Sequence, residues 1–392
     1  MSDKCGNCDC ADKSQKKGTS YGVVIVEAEK SHLEEVAAGE VMGGLPMDQA
    51  FVQAPEHRAK PSVAEADGIP VIDLSPLFAA DGVDVDALAA EVGRASQDWG
   101  FFVVVRHGVP EEVVARAAEA QRAFFALPPA RRAAVARSEA AQMGYYASDH
   151  TQNVRDWKEA FDLVPTRHSL LPPPSAVVLD NKWPDDLPGF REAMEEYGEA
   201  VEELAFKLLE LIARSLGLRP DRLHGFFEDH QTTFIRLNHY PPCPSPDLAL
   251  GLGHHKDAGA LTVLYQDAVG GLDVRRRCDG EWVRVRPIPQ SFIINIGDII
   301  QVWSNDRYES VEHRVVVNVE KERFSIPFFF YPASYTMVEP LEEVMSEESP
   351  ARYNPYSWGE FFSARKNGNF KKLDVDYVQI THFRKNTPVH VQ

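Results

Sequence analysis

The chain has 392 residues, 44% hydrophobic and 26% charged, enough apolar material for one large domain or two small ones. Its net charge of −18, from 41 Lys and Arg against 59 Asp and Glu, argues against nucleic acid or an anionic membrane as electrostatic partner. No apolar run approaches the roughly 20 residues of a membrane span, no signal-peptide core opens the chain, and the five cysteines form no disulfide framework, so the expectation is cytoplasmic.

Residues 1–41 differ in kind from the rest. Cys5, Cys8 and Cys10 crowd together and could grip a soft metal as thiolates. The run from Met1 to Gln15, with Tyr21-Gly22, resembles the front of a plant type 3 metallothionein. That family has a further Cys where this chain runs into Lys16-Lys17, and its Cys-rich second half is missing here. Three thiols leave a four-coordinate site incomplete. A fused or mis-joined segment is the favoured reading, with Met42 or Met47 as the start of the working protein. Residues 42–68 are polar and aperiodic and read as a linker or loosely attached arm.

An N-terminal region over 69–187 follows. Ile69 to Leu74 predicts a short strand, and Asp84 to Trp99 a helix with Leu88, Val92 and Ala95 on one face, stopped by Gly100. Phe101 to Val105 predicts a buried strand, and Pro110 opens the next helix. Residues 126–187 read as loops with short helices. The segment 188–231 carries the longest helical pattern, from Pro188 to Leu216, with Gly217 to end it. Over 232–338 the texture changes to short alternating strands: 232–240, 260–266, 272–276, 282–286, 292–303, 311–319 and 324–331. Asp279-Gly280 marks a tight hairpin, and the whole suggests a sandwich or jelly roll. In 339–392, Ser357 with Glu360 forms a capping box ahead of Phe361 and Phe362, so a helix closes the chain.

The stretch Gly253 to Asp267 organises the rest. His255 and Asp257 stand two apart, ahead of an alternating Leu261, Val263, Tyr265 run; on a strand they would share a face. His313 lies 58 residues further on, on another strand. Two His and one carboxylate leave three adjacent metal positions open, the arrangement of non-haem Fe(II) oxygenases, whereas zinc more usually keeps one. Arg323 and Ser325 also share a face, in an otherwise apolar strand. An inward Arg needs an anion, either a protein acid or a dicarboxylate cosubstrate. His254 faces away from His255 and reads as surface or supporting, His239 as structural, and Cys243 and Cys278 as packing or exposed.

The set His255-x-Asp257, His313, Arg323-x-Ser325 resembles the plant 2-oxoglutarate/Fe(II)-dependent dioxygenases. Asn238-His239-Tyr240-Pro241-Pro242-Cys243 matches that family's Asn-x-Tyr-Pro-Pro-Cys motif, and Leu261 to Asp267 the run after its His-x-Asp. Ile69 to Leu74 and Trp99 to Phe102 match its N-terminal part, so the resemblance covers about residues 69–385. It implies a double-stranded β-helix core flanked by an N-terminal α/β segment and helices. It implies Fe(II) on His255, Asp257 and His313, and 2-oxoglutarate on Arg323, Ser325 and Tyr240, with Asn238 at the pocket floor. O2 would be the second cosubstrate and ascorbate the reductant. The reaction would hydroxylate or desaturate a small plant metabolite, a phenolic, flavonoid or hormone, releasing succinate and CO2. No nucleic acid, membrane or obligate protein partner is expected.

Substrate contacts are expected at Tyr145, Tyr146, Arg236, Phe329, Tyr331 and Phe361 or Phe362. Tyr331 stands where flavonoid-oxidising relatives often carry an acid, and Arg236 suits a phenolate or carboxylate. Two alternatives remain open: an Fe(II) oxidase of the same superfamily that does not use 2-oxoglutarate, and a metal-binding protein built on the thiol cluster.

Overall fold

The computed structural model describes residues 47–59, 68–79, 85–138, 141–151, 153–165, 179–227, 231–368 and 378–385. The metallothionein-like stretch lies outside them. Twelve strands carry the site: β1 Val71–Asp73, β2 Phe101–Val105, β3 Gly144–Tyr146, β4 Glu159–Leu163, β5 Phe234–Tyr240, β6 Leu252–His255, β7 Leu261–Gln266, β8 Leu272–Arg275, β9 Trp282–Arg284, β10 Ser291–Ile296, β11 His313–Val315 and β12 Arg323–Phe330. Six helices accompany them: α1 Val85–Asp98, α2 Glu111–Phe125, α3 Pro129–Ala134, α4 Phe190–Ser215, α5 Asp298–Trp303 and α6 Trp358–Gly368.

The larger sheet runs β1-β2-β10-β7-β12-β5-β4-β3 and the smaller β9-β8-β11-β6. Strand β12 explains the layering. Its alternate residues Phe324, Ile326, Phe328 and Phe330 enter the main core, while Arg323, Ser325, Pro327 and Phe329 line a cavity on the other face. Behind the sheet, α4 presents Met194, Tyr197, Val201, Leu204 and Leu208, all fully buried, at spacings of three and four. Gly217 ends α4 at φ +82°, with the Leu218 N–H returning to the Ala213 carbonyl. The smaller sheet covers the cavity from the opposite side, with Leu272, Val274 and Val315 packing against Tyr240 and Ile293.

Four expectations change. The strand foreseen over 292–303 ends at Ile296, and residues 298–303 form α5 instead. Added at Gly297, a Cβ would sit 2.2 Å from the Gly259 carbonyl, so this crossing requires glycine and turns the chain. Asp257 lies beyond the end of β6, so it is aimed by the connection to β7 rather than by strand alternation. The region 126–187, read as loops, supplies β3 and β4 of the larger sheet. Residues 47–59, expected within a linker or loose arm, are packed: Phe51 is fully buried against Trp157, and the Gln53 N–H donates to the Leu248 carbonyl.

Candidate active site

Strands β6 and β11 are antiparallel neighbours with His255 directly opposite His313, which brings the imidazole centroids to 4.2 Å. The Asp257 Oδ1 atom lies 3.4 Å from His255 Nε2 and 3.6 Å from His313 Nε2. One ligand atom from each residue falls within 4.8 Å of the others. Hydrogen bonds decide which atoms face inward. His255 Nδ1 is 2.9 Å from the Gly253 carbonyl and His313 Nδ1 is 3.2 Å from that of Val311. A carbonyl only accepts, so each Nδ1 carries the proton and each Nε2 keeps its lone pair. The other Asp257 oxygen, Oδ2, accepts from Thr262 Oγ1 at 2.5 Å and Asn295 Nδ2 at 2.8 Å. Oδ1 is left free for an ion.

The electrostatics agree with a ligand set. Burial, aided by repulsion from His255, lowers the His313 pKa to about 4 and keeps the ring neutral. Burial pushes the Asp257 carboxyl up, but the adjacent His313 and His255 rings and the Thr262 hydrogen bond outweigh it and hold it below the usual carboxylate range. Neutral imidazoles and an ionised carboxylate are the forms that bind a divalent cation.

The second cluster comes from register. Arg323 lies opposite Tyr240 and Ser325 opposite Asn238 across β12 and β5, and Gln266 on β7 is opposite Ser325. Arg323 is 2% exposed. Its Nη1 donates to Ser325 Oγ at 3.2 Å and its Nη2 to Gln266 Oε1 at 3.1 Å, while the guanidinium stands 5.0 Å from the Tyr240 ring centre. All of these partners are neutral. The buried Nε has no partner, and among the described residues no carboxylate pairs with the guanidinium. A buried cation with no paired anion is costly; burial lowers its pKa, and the attraction of Tyr240 and the more distant Asp267 offsets this only in part. The site therefore fits a bound carboxylate.

Both clusters open onto one cavity of about 220 Å³. Phe329, Tyr331, Phe362 and Arg236 line it. Tyr145 and Phe361 do not: Tyr145 packs on Phe124 in the core, and Phe361 on Tyr356 and Phe383. Tyr146 is not at the cavity wall either, donating instead to Asp162 at 3.3 Å beneath Arg137. Tyr145 and Tyr146 are thus both held away from the wall by partners of their own, and of Phe361 or Phe362 it is Phe362 that reaches the cavity. Arg236 makes a two-pronged bond to Asp162, at 2.7 and 2.9 Å, and lies 3.8 Å from Asp149, so much of its charge is already met. Sequence reasoning missed Thr262 and Gln266, which the period of two along β7 could have flagged. It also missed Asn295, a polar residue in an apolar strand, and Arg365, for which no sequence signal existed. His254 stacks on His57 at 4.5 Å and approaches Glu312. Cys243 is buried, its thiol pushed up to about 11 by burial, and Cys278 is exposed.

Two family models match, one described as the 2OG-Fe(II) oxygenase superfamily over residues 231–332 and one as the N-terminal part of a non-haem dioxygenase in morphine synthesis over 69–186. Jasmonate-induced oxygenase 2 of Arabidopsis thaliana is 39% identical over 300 residues, covering 76% of this chain and 78% of that protein. The chain belongs to the 2-oxoglutarate/Fe(II) oxygenase superfamily. Naringenin,2-oxoglutarate 3-dioxygenase of Matthiola incana is 35% identical over 90% of this oxygenase and 95% of its own length. Among solved structures, JOX2 in complex with 2OG, Fe and JA superposes with a TM-score of 0.71 at 34% identity, covering 84% of this chain and 92% of that one. The rice dioxygenase for auxin oxidation gives 0.65 at 28%, covering 81% and 100%. The fold is therefore the jelly roll of this superfamily, and Fe(II), 2-oxoglutarate and O2 are its reagents. No helix among the described residues is long and apolar enough to cross a membrane.

Proposed function

We propose that this oxygenase holds Fe(II) on His255 Nε2, Asp257 Oδ1 and His313 Nε2, and 2-oxoglutarate on Arg323, Ser325 and Tyr240 with Asn238 beside them. The observation that carries this reading is that hydrogen bonding leaves those three ligand atoms free, while Arg323 is buried without a paired anion. When bound, iron and 2-oxoglutarate supply the oxidant by activating O2, with succinate and CO2 as coproducts. The chain's residues orient and exclude. Thr262 and Asn295 fix the carboxylate of Asp257, and Phe329, Tyr331 and Phe362 keep water from the substrate end of the cavity.

The substrate is a small apolar molecule bearing a carboxylate, which this oxygenase hydroxylates or desaturates. Arg365 supports that choice. It lies at the cavity wall, and its hydrogen-bond partners among the described residues are neutral, the Val378 carbonyl at 3.3 Å and Gln379 Oε1 at 3.2 Å, with the Asp298 carboxyl attracting it without forming an ion pair. Arg236 adds a second cation whose charge is partly met. Relatives named for JA and for auxin oxidation are of this kind. Oxygen-free addition of Fe(II) and 2-oxoglutarate tests the cofactor half through the visible charge-transfer band, expected only with both present. Iron binding without a band favours an oxidase that does not use 2-oxoglutarate. Turnover of apolar carboxylic acids but not their methyl esters, with the preference lost in Arg365→Ala, tests the substrate half; equal turnover of acid and ester sinks it.

A further inference from the structure

We propose that Asp156 is a positioning residue for the metal ligand His255, acting through the backbone of Gly253. The inference rests on the assignment of His255 to iron. Asp156 is fully buried, and its Oδ1 accepts from the Gly253 N–H at 2.9 Å. The carbonyl of the same Gly253 accepts from His255 Nδ1 at 2.9 Å. One residue is thus held at its N–H by the carboxylate, and holds the imidazole with its C=O. The ring orientation of His255 depends on where that carbonyl points.

The surroundings are built for this contact. A Cβ added at Gly253 would sit 2.9 Å from both Thr151 Cβ and Cγ2, so only glycine lets the 150–156 segment approach β6 so closely. Thr151 Oγ1 donates to the second oxygen of Asp156 at 2.9 Å. Lys158 Nζ lies 3.3 Å from both Asp156 and Asp149, and Asp149 also faces Arg137 at 3.5 Å and Arg236 at 3.8 Å. Thr151 Oγ1 and Lys158 Nζ hold Oδ2, which leaves Oδ1 to meet the Gly253 N–H on the strand that carries His255, from a place outside the iron-binding set. Burial raises the Asp156 pKa, as expected of a carboxylate that only such close partners can keep in place.

Two double variants separate positioning from charge balance. In both, Lys158→Met removes the cation that pairs with Asp156, while Asp149 keeps Arg137 and Arg236. Asp156→Asn/Lys158→Met keeps an oxygen acceptor for the Gly253 N–H; Asp156→Ala/Lys158→Met does not. Fe(II) affinity of the full chain, measured without oxygen and alongside thermal melting, is expected to stay within about twofold of wild type in the Asn variant. It is expected to weaken about 10- to 100-fold in the Ala variant, the range for loss of a group that orients a metal ligand. Thr151→Val, which creates no unpaired charge, gives a smaller loss in the same direction and covers the case in which the Ala variant does not fold. Wild-type affinity in Thr151→Val and the Ala variant, or equal loss in both double variants, overturns the proposal. His255→Ala is the control: if it binds Fe(II) like wild type, the ligand assignment has failed instead.

Discussion

At Arg323 a full positive charge sits 2% exposed among a serine, a glutamine and a tyrosine ring, none of which neutralises it. Two charge-assisted bonds from its fork to a cosubstrate carboxylate amount to about 3 kcal/mol. Arg323→Ala is therefore expected to raise the 2-oxoglutarate needed for half of the charge-transfer band about 100-fold, with iron affinity unchanged; an unaltered titration would refute the assignment. His239, on the opposite face of β5, shows how a neighbouring residue can carry charge without touching the reaction. Burial disfavours its cation, but Glu322 Oε2 at 3.0 Å and Glu159 Oε2 at 3.6 Å outweigh burial and raise its pKa. Arg132 pairs with Glu159, Phe324 stacks on the ring, and Arg122 lies over Phe324 and attracts Glu322, so two carboxylates face the imidazole against two competing cations. A raised folded-state pKa contributes stability that is fully present below about pH 6.5 and is lost as pH rises through the folded value. The stability gap between wild type and His239→Gln, from urea unfolding at a series of pH values, is expected to shrink on the alkaline side. A gap independent of pH would refute the reading.

Element by element, the larger sheet is sewn together from outside where its own ladder fails. Pro327 has no N–H, and the pairing of β12 with β5 breaks between Ser325 opposite Asn238 and Phe328 opposite Ile235. Helices supply the missing donors. Gln121 on α2 gives both of its amide hydrogens to the Asn238 and Ser325 carbonyls, at 2.9 Å each, and Tyr197 on α4 gives its hydroxyl to that of Ile326 at 3.2 Å. The break separates the half of β12 that carries Arg323 and Ser325 from the half that carries Phe329. Gln121→Met leaves two buried carbonyls unpaired and is expected to cost about 2 kcal/mol in chemical unfolding; a loss under half of that would mean water replaces the amide. Helices α1 and α4 were legible from period and caps, because each buries one stripe over several turns, whereas the short, wholly buried α5 was read as strand. The strands at 144–146 and 159–163 were not, because each is short and buried on both faces, leaving no alternation to read.

Across the whole molecule, residues 47–59, ahead of the first strand, are part of the fold. Phe51 fills a second core with Trp157, Tyr240 and Val315, under Arg155. Phe51→Ala is expected to lower unfolding free energy by about 3 kcal/mol, measurable by urea titration; an unchanged midpoint would mean the segment is dispensable. The distant thiols are a separate question, answered by deleting residues 1–41. One Fe(II) per chain is expected to remain, whereas loss of all bound iron on deletion would support the metal-storage alternative.

By itself the sequence determined which groups could do chemistry and in what order: two imidazoles and one guanidinium on strands, and one carboxylate just past the end of one of them. Those features follow from side-chain type and short-range period, which a chain carries locally. The tertiary structure decided what each group is free to do. Asp257 keeps one oxygen open because Asn295, 38 residues away, takes the other. Arg236 is largely spent on Asp162, while Arg365 enters the same cavity with neutral hydrogen-bond partners. Hydrogen-bond and charge compensation are settled between residues far apart in the chain, and local pattern holds no record of them.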